Sequence, residues 1–288
     1  MILEKEGPDG VGEMVYDFNL LGNDLFFAGS RGRRFGIFNL YGEKQKDIDL
    51  NEFDALFDIP VSINNSLVFD QSPVSIFGDL TLWNPDGSNE SRLGVWKVED
   101  QVLNTYDINN WFKISDFKSV ITTPNYDMPA YAYWFHVDTW KSQVLVSANV
   151  RSSLVRYSNG EFEVVEIDHQ KIPKKMNGKL SDRYNSREEF ETDFNRLQQE
   201  INYSHPVWDV ESEVFYRFAY KKKSDDKESL PNAEVFLIIM DRDFKILHEI
   251  QIPQLSKSPN FHFVKDGMIW MFENVEDEVS FIRLQVSI

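Results

Sequence analysis

Three of the five histidines fall on segments that the sequence predicts to be strands. His136, His205 and His262 each lie in the first strand of a predicted antiparallel sheet, and first strands line the axis when such sheets form a ring. Converging imidazoles can ligate a metal ion and titrate near neutral pH. An isolated histidine more often satisfies a local hydrogen bond, so the sequence predicts neither a metal nor a cofactor here.

Four aspartates recur at the ends of predicted first strands. They are Asp79, Asp138, Asp209 and Asp266. Carboxylates gathered near one mouth of a ring would hold a cation or act as an acid/base set. Aspartate is also a favoured turn residue, and we expect the turn role because the next predicted strand follows each of them closely. Asp138 is kept beside the histidines as a candidate binding residue.

A second set of candidates is aromatic and contains one arginine. It comprises Trp134, Trp208, Trp270, Tyr216 and Arg217. Exposed Trp and Tyr rings stack on sugars, and arginine makes forked hydrogen bonds to carboxylates. The alternative is packing between sheets, which we expect for Trp270 because it lies in an apolar strand. Trp208 and Arg217 have polar neighbours and are kept as candidate binding residues.

Short strands separated by turns must position these side chains. With 23 Phe, 11 Tyr and 7 Trp, the chain is rich in residues that suit half-buried sheet surfaces. The clearest four-stranded unit has strands at Tyr203–Val210, Glu213–Lys221, Ala233–Asp241 and Phe244–Pro253. Less regular copies of this four-stranded unit recur roughly every 55–70 residues. The sequence therefore predicts an all-β fold, a β-propeller in a single domain of residues 1–288. Its five recognisable blades are expected at about 11–50, 73–108, 130–168, 203–253 and 260–288.

Individual strands are predicted for two of these units, and the last unit does not decide the number of blades. The second unit is expected to contain the strands Pro73–Gly78 and Thr81–Asn84, and the third to open with Ala130–Val137. The last has only three predicted strands. Ile2–Lys5 would complete it and close a ring of five blades. Alternatively, Ile2–Lys5 is the outer strand of an earlier blade, and the parent protein has six.

One insertion, residues 169–202, interrupts the strands. Ser186 with Glu189 three residues later is a capping box, which predicts a helix at about 186–201. Apolar residues follow at helical spacing and place one apolar face on this helix. They are Phe190, Phe194, Leu197 and Ile201.

Composition excludes several classes of protein. The 288 residues include 30 Lys and Arg against 47 Asp and Glu, and the net charge of −17 argues against nucleic acid as a partner. The absence of cysteine excludes disulfides, thiolate metal sites and a cysteine nucleophile. No apolar run is long enough for a transmembrane segment. Phosphate loops, zinc-protease helices and serine-hydrolase elbows are absent from the sequence.

Two segments carry a family resemblance. Gly7-Pro8-Asp9-Gly10-Val11-Gly12-Glu13 resembles a turn common in six-bladed propeller proteins of the Bacteroidetes. His205–Asp209 followed by Val214–Phe218 resembles the "strand, Asp, then Tyr-Tyr-Arg" segment of an uncharacterised propeller family of exported, often lipid-anchored proteins. The resemblance implies a periplasmic or cell-surface protein, and it supplies no catalytic residues. The chain lacks a signal peptide, a lipoprotein cysteine and about one N-terminal blade, as expected of a truncated gene model or a processed form.

Together these features predict a monomeric, non-enzymatic binding or scaffold module that presents loop residues to a protein or glycan partner. The alternative is a carbohydrate-active lyase or hydrolase with an axial site that uses His136, His205 and Asp138. The candidate binding residues are His136, Asp138, His205, Trp208, Arg217 and His262.

Overall fold

The structure is a computed structural model that describes most of the chain. The described residues are 15–21, 25–30, 34–49, 61–69, 75–83, 89–97, 100, 102–223, 232–259, 261–275 and 278–286. The chain divides into two compact units, residues 1–113 with 137–144 and residues 114–136 with 145–288. That all sheets belong to a single domain stays a prediction.

The first unit contains two four-stranded antiparallel meanders in sequential strand order. The strands of the first meander are β1 (Val15–Leu21), β2 (Leu25–Ser30), β3 (Arg34–Asn39) and β4 (Lys44–Asp49). Those of the second are β5 (Val61–Phe69), β6 (Ser75–Trp83), β7 (Asn89–Lys97) and β8 (Val102–Asp107). Phe77, Leu80 and Leu93 are fully buried on the second meander. A short helix, α1 (Asn109–Phe112), follows it.

The second unit begins with a 3₁₀ turn at Ile114–Phe117 and a small sheet. In this sheet β9 (Lys118–Thr122) pairs antiparallel with β10 (Asp127–Tyr131). The two-residue strand β15 (Arg183–Tyr184), far away in sequence, joins β9 in parallel. The next meander, of which residues 137–144 belong to the first unit, contains β11 (Phe135–Trp140), β12 (Gln143–Ala148), β13 (Arg151–Ser158) and β14 (Glu161–Val165).

Two further sheets complete the chain. In the first of these, β16 (Asn202–Tyr203) and β17 (Val207–Asp209) both pair with β18 (Val214–Lys222), which is followed by β19 (Ala233–Met240) and β20 (Ile246–Gln251). The last sheet has three strands, β21 (His262–Lys265), β22 (Met268–Val275) and β23 (Glu278–Gln285). Apolar side chains of β18, β19 and β22 form one continuous core between these sheets.

The predicted fold class is confirmed: the protein is all-β and propeller-like, built from successive antiparallel meanders. The continuous run of seven buried residues in β18 and the mostly buried β19 explain the success, since strands that are covered on both faces read as near-continuous apolar runs. The proposed fourth strand of the last sheet, Ile2–Lys5, lies outside the described residues.

Two strand predictions are wrong. The segments expected as Pro73–Gly78 and Thr81–Asn84 form the single strand β6, and the first strand of that meander is β5, which the sequence analysis left out. The predicted strand Ala130–Val137 is instead split between β10 and β11, because the chain leaves one sheet and enters another at Ala132–Trp134. Side-chain patterning alone does not mark such a change of sheet.

The predicted helical insertion is confirmed as α2 (Arg187–Gln198). The Ser186 hydroxyl accepts a hydrogen bond from the Glu189 amide, and the Glu189 carboxylate accepts one from the Asn185 amide. Of the apolar residues at helical spacing, Leu197 and Ile201 are fully buried. Phe190 packs edge-on against the buried ring of Tyr184. No helix in the described part of the chain has the length and apolarity to span a bilayer.

We expect Ser186→Ala to lower the free energy of unfolding by about 1 kcal/mol, because the Glu189 amide loses its acceptor at the helix N-terminus. Ser186→Asp keeps an acceptor there and should unfold like the wild type. Urea unfolding followed by far-UV circular dichroism measures both. Equal losses in the two variants would contradict the role of the cap.

Candidate functional site

The three histidines of the predicted first strands come together in the second unit. We call His136, His205 and His262 the imidazole cluster. The ring centroids of His136 and His205 are 4.8 Å apart, and those of His205 and His262 are 4.4 Å apart. His136 lies on β11 and His262 on β21, whereas His205 lies in the break between β16 and β17. The cluster therefore brings together residues from three successive sheets.

Burial keeps His136 and His205 of this cluster neutral. Desolvation, with the fields of His262 and Arg217 added, lowers the pKa of His136 from 6.5 to about 4. Desolvation and the two neighbouring imidazoles lower the pKa of His205 to about 2. Protonated imidazoles would repel one another at these separations. Groups with such low pKa values are weak proton acceptors, so the cluster is poorly suited to general base catalysis at neutral pH.

The rings of the cluster pack directly against one another. Adjacent rings are tilted by 43° and 31° at centroid distances below 5 Å, which is van der Waals stacking. Among the described residues, no group of three or more His, Asp or Glu side chains is arranged to hold a metal ion. The arrangement fits packing and hydrogen bonding.

Next to the cluster, Arg217 of β18 is 0% exposed. Its guanidinium donates to the carbonyl oxygens of Ser204 (2.7 Å), Ser152 and Arg151 (3.4 Å). It also lies 4.9 Å from the centre of the Tyr203 ring. Desolvation lowers the pKa of Arg217 to about 10, so it remains charged at neutral pH. Arg217 was kept as a candidate binding residue, but its donors bind the main chain of β13 and the carbonyl of Ser204, which follows β16.

Two buried amides tie the same sheets to the helix. Asn149 Oδ1 accepts from the Trp134 amide at 2.9 Å, and its Nδ2 donates to Asn202 Oδ1 at 3.2 Å. Asn202 Nδ2 donates to the carbonyl oxygens of Glu200 (3.0 Å) and Gln198 (3.4 Å) at the end of α2. The helical insertion is thereby joined to β11 and β16 through side chains that are fully buried.

A histidine that the sequence analysis did not select, His169, forms a second buried contact. Its Nδ1 lies 2.5 Å from Glu249 Oε1, and both side chains are buried. Glu249 Oε2 also accepts from the amides of Gln170 (3.1 Å) and Lys171 (2.9 Å). Desolvation is the largest influence on His169 and lowers its pKa. The partners are 80 residues apart in sequence, and no local pattern could have revealed the pair.

The four aspartates do not share one role. Asp79 and Asp138 lie inside β6 and β11, so the turn role is wrong for both. Asp209 ends β17 and accepts from the Glu211 amide at 3.0 Å, and Asp266 occupies a turn with φ of 53°. Asp138 is nevertheless distinctive, because burial raises the pKa of its carboxyl group to about 7. Its Oδ2 has no hydrogen-bond partner among the described residues.

The three candidate tryptophans are half-buried rather than fully exposed. Trp208 is half-buried, and its ring packs 4.8 Å from that of Phe215. Trp134 is also half-buried. Trp270 was expected in the core, but it is half-buried on the outer face of the last sheet. The Arg283 guanidinium lies 5.4 Å from its ring, and the Lys265 ammonium lies 6.0 Å from it.

Trp270 belongs to a surface that the sequence analysis missed. The aromatic face is formed by Phe261, Phe263, Trp270, Phe272 and Phe281 on one side of the last sheet. Cross-strand pairing places Phe263 beside Trp270 and Phe272 beside Phe281. Neighbouring rings lie 5.9–6.3 Å apart. Phe261 is 65% exposed and Phe281 is 43% exposed. Alternating aromatics in residues 261–265 were a signal for this face.

Replacing Arg217 tests its structural role. Arg217→Met removes the guanidinium that donates to the carbonyl oxygens of Ser204, Ser152 and Arg151, and we expect a loss of about 3–5 kcal/mol in unfolding free energy. Arg217→Lys should lose most of the same amount, because one ammonium cannot reach the carbonyls of residues 151–152 and of Ser204 together. Arg242→Met is the control, since Arg242 is exposed and makes only a 3.6 Å surface ion pair. An unfolding free energy of Arg217→Met close to that of the wild type would contradict the structural role of Arg217.

Acid should destabilise the fold through the imidazole cluster. Both shifted histidines bind protons more tightly in the unfolded chain, where the pKa is 6.5, than in the folded protein. Their stabilising contribution is therefore complete above about pH 6.5 and is lost as the pH falls toward 4 and below. Urea titrations between about pH 7.5 and pH 4.5 measure this slope.

Two variants identify the source of the slope. His205→Gln should flatten it, whereas His248→Gln, a change at an exposed histidine of β20, should leave it unchanged. Identical slopes in His205→Gln and the wild type would show that the cluster does not govern acid stability.

Comparisons with known proteins agree with the fold. The crystal structure of a DUF4221 family member from Bacteroides vulgatus ATCC 8482 aligns with a TM-score of 0.68 at 18% identity, over 99% of this chain and 82% of that chain. This identity supports the fold alone. A structure from a structural and mechanistic study of two prolyl endopeptidases aligns at 8% identity, over 94% of this chain and 49% of that chain, but its TM-score of 0.30 is too low to support an argument.

No curated protein matches the sequence. Residues 1–251 match the family described as a domain of unknown function, DUF4221. Because this match spans most of the chain, the protein belongs to the DUF4221 family.

Proposed function

We propose that this protein is a non-enzymatic binding or scaffold module that recognises a protein or glycan partner. The observation that carries the proposal is the aromatic face of the last sheet. Exposed aromatic patches of this kind are characteristic of recognition surfaces, since ring contacts with a partner bury much apolar area at a small entropic cost. The partner is expected to contact this sheet surface more than the loops that the sequence suggested.

The positive charges around the aromatic face favour a partner with acidic groups. Lys265 and Arg283 are exposed on either side of Trp270, although the whole chain carries a net charge of −17. Cations held above an aromatic ring keep their outer hydrogen-bond donors available. A partner with acidic groups beside apolar or sugar-ring surface is therefore favoured over a basic one.

The site chemistry is less favourable to the enzymatic alternative. A lyase or hydrolase using His136 and His205 needs imidazoles that titrate near the working pH, and these have pKa values of about 4 and 2. One observation favours this second candidate. Burial raises the pKa of the Asp138 carboxyl group to about 7, a value suited to a general acid. If the binding role is correct, the wild type and Asp138→Asn should both show only background turnover of polysaccharides. Turnover by the wild type that is lost in Asp138→Asn would favour the enzyme.

For location, we propose the periplasm or the cell surface. The support is the resemblance of the N-terminal and 205–218 segments to exported propeller proteins. A binding module there would meet polysaccharides and surface proteins as partners.

The binding role is tested with a glycan array and purified polysaccharides, read by biolayer interferometry. Phe281→Ser removes an exposed ring of the aromatic face and should weaken binding by about tenfold or more, as loss of an interface anchor does. Leu247→Ser is the matched control, because Leu247 is a similarly exposed apolar residue on β20. Equal binding by the wild type and Phe281→Ser would argue against the aromatic face as the recognition surface.

A further inference from the structure

The last sheet also forms a pocket on the side opposite the aromatic face. Met271 of β22 pairs with Ile282 of β23, and Glu273 points to the same side as Met271 because it follows two residues later. These three side chains form the floor. The connector of residues 254–259, between β20 and β21, forms the wall. The pocket has a volume of about 310 Å³, near the lower end of the roughly 300–1,000 Å³ typical of small-molecule sites.

The wall of the pocket is held in place by the structure around it. The carbonyl oxygen of Ser256 accepts from the Ala233 amide at 2.6 Å, and the Leu255 amide donates to the Ile252 carbonyl at 3.1 Å. Leu255 packs against the continuous core. The Lys257 ammonium forms an ion pair with the Glu273 carboxylate of the floor. A pocket closed by such fixed contacts is formed before any ligand binds, which lowers the entropic cost of binding.

The lining is divided between apolar and polar groups. Leu255, Pro259, Met271 and Ile282 supply apolar surface, and Ile282 remains 37% exposed. Gln254, Ser256 and Ser258 supply an amide and two hydroxyls. The charges of Lys257 and Glu273 neutralise each other, so a ligand with a net charge would have to disrupt their pair. A hydroxyl can donate to the carboxylate and accept from the ammonium while the pair stays intact.

From this geometry we infer that the pocket between β22–β23 and residues 254–259 is a binding site for one neutral sugar ring, such as the terminal residue of a glycan. A pyranose has an apolar C–H face, which fits Met271 and Ile282, and a hydroxyl edge, which fits Lys257, Glu273 and Ser258. This inference rests on the proposed binding function and names a neutral glycan end as one of its ligands.

Saturation-transfer difference NMR on the full chain tests the pocket directly. The probes are the methyl glycosides of glucose, galactose and mannose, N-acetylglucosamine, and the charged sugars glucuronate and glucosamine. At least one neutral probe should receive saturation, mainly at its ring C–H protons, and the two charged probes should receive less. Saturation of the charged sugars equal to that of the best neutral probe would overturn the inference, as would no saturation of any neutral probe.

Variants locate the binding. Ser258→Trp places an indole in the pocket and should abolish the signal, and Glu273→Gln should reduce it about fivefold or more by removing the charged acceptor. Glu278→Gln, on β23 at an exposed position, is the matched control and should bind like the wild type. Unchanged signals in both Ser258→Trp and Glu273→Gln would overturn the pocket as the site. The two-dimensional amide spectrum of each variant verifies that it is folded.

The Phe281→Ser variant separates this inference from the proposed function. Loss of probe binding in Ser258→Trp with full binding in Phe281→Ser supports the pocket independently of the aromatic face. A different outcome is that Phe281→Ser binds polysaccharide more weakly while the wild type binds none of the sugar probes. That outcome would support the proposed binding function and contradict the pocket as a sugar site.

Discussion

A buried guanidinium constrains the second unit more than any other group. Within the described part of the chain, Arg217 has no acidic hydrogen-bond partner, and it donates to two main-chain carbonyl oxygens of β13 and to that of Ser204. A buried charge is tolerated only when its donors are satisfied, so the main chain at residues 151–152 and 204 must keep its position. The break between β16 and β17 that places His205 in the imidazole cluster begins at this anchored residue, Ser204.

The charge on Arg217 also determines the electrostatic character of its surroundings. A fixed cation beside buried imidazoles favours their neutral forms, and desolvation acts in the same direction. Residues that look like an acid/base set in the sequence therefore serve as neutral packing groups with hydrogen-bonding edges. The recognition chemistry lies elsewhere, on the last sheet, where cations and rings remain accessible to solvent.

The sequence predicts most of the fold and part of the site, for identifiable reasons. The continuous, aromatic-rich run of β18 and the capping box at Ser186 are local signals, and both lead to the correct elements. The convergence of the histidines was predictable because the repeat places them at equivalent positions. By contrast, the His169–Glu249 contact and the burial of Arg217 depend on pairing between distant strands. The continuous strand β6 was missed because Gly78 and Asp79 look like a turn in sequence.

The amide bridge between Asn149 and Asn202 has a consequence for how this family can vary in length. Because Asn202 also holds the carbonyls that end α2, the insertion is a structural staple between two sheets. Shortening it would leave two buried amide side chains without hydrogen-bond partners in an apolar interior. This would lower the stability of the fold considerably, although the change lies outside any site. Relatives should therefore tolerate insertions and deletions in exposed hairpins, such as Asn159–Gly160, while keeping the spacing between the helix and β16 nearly constant.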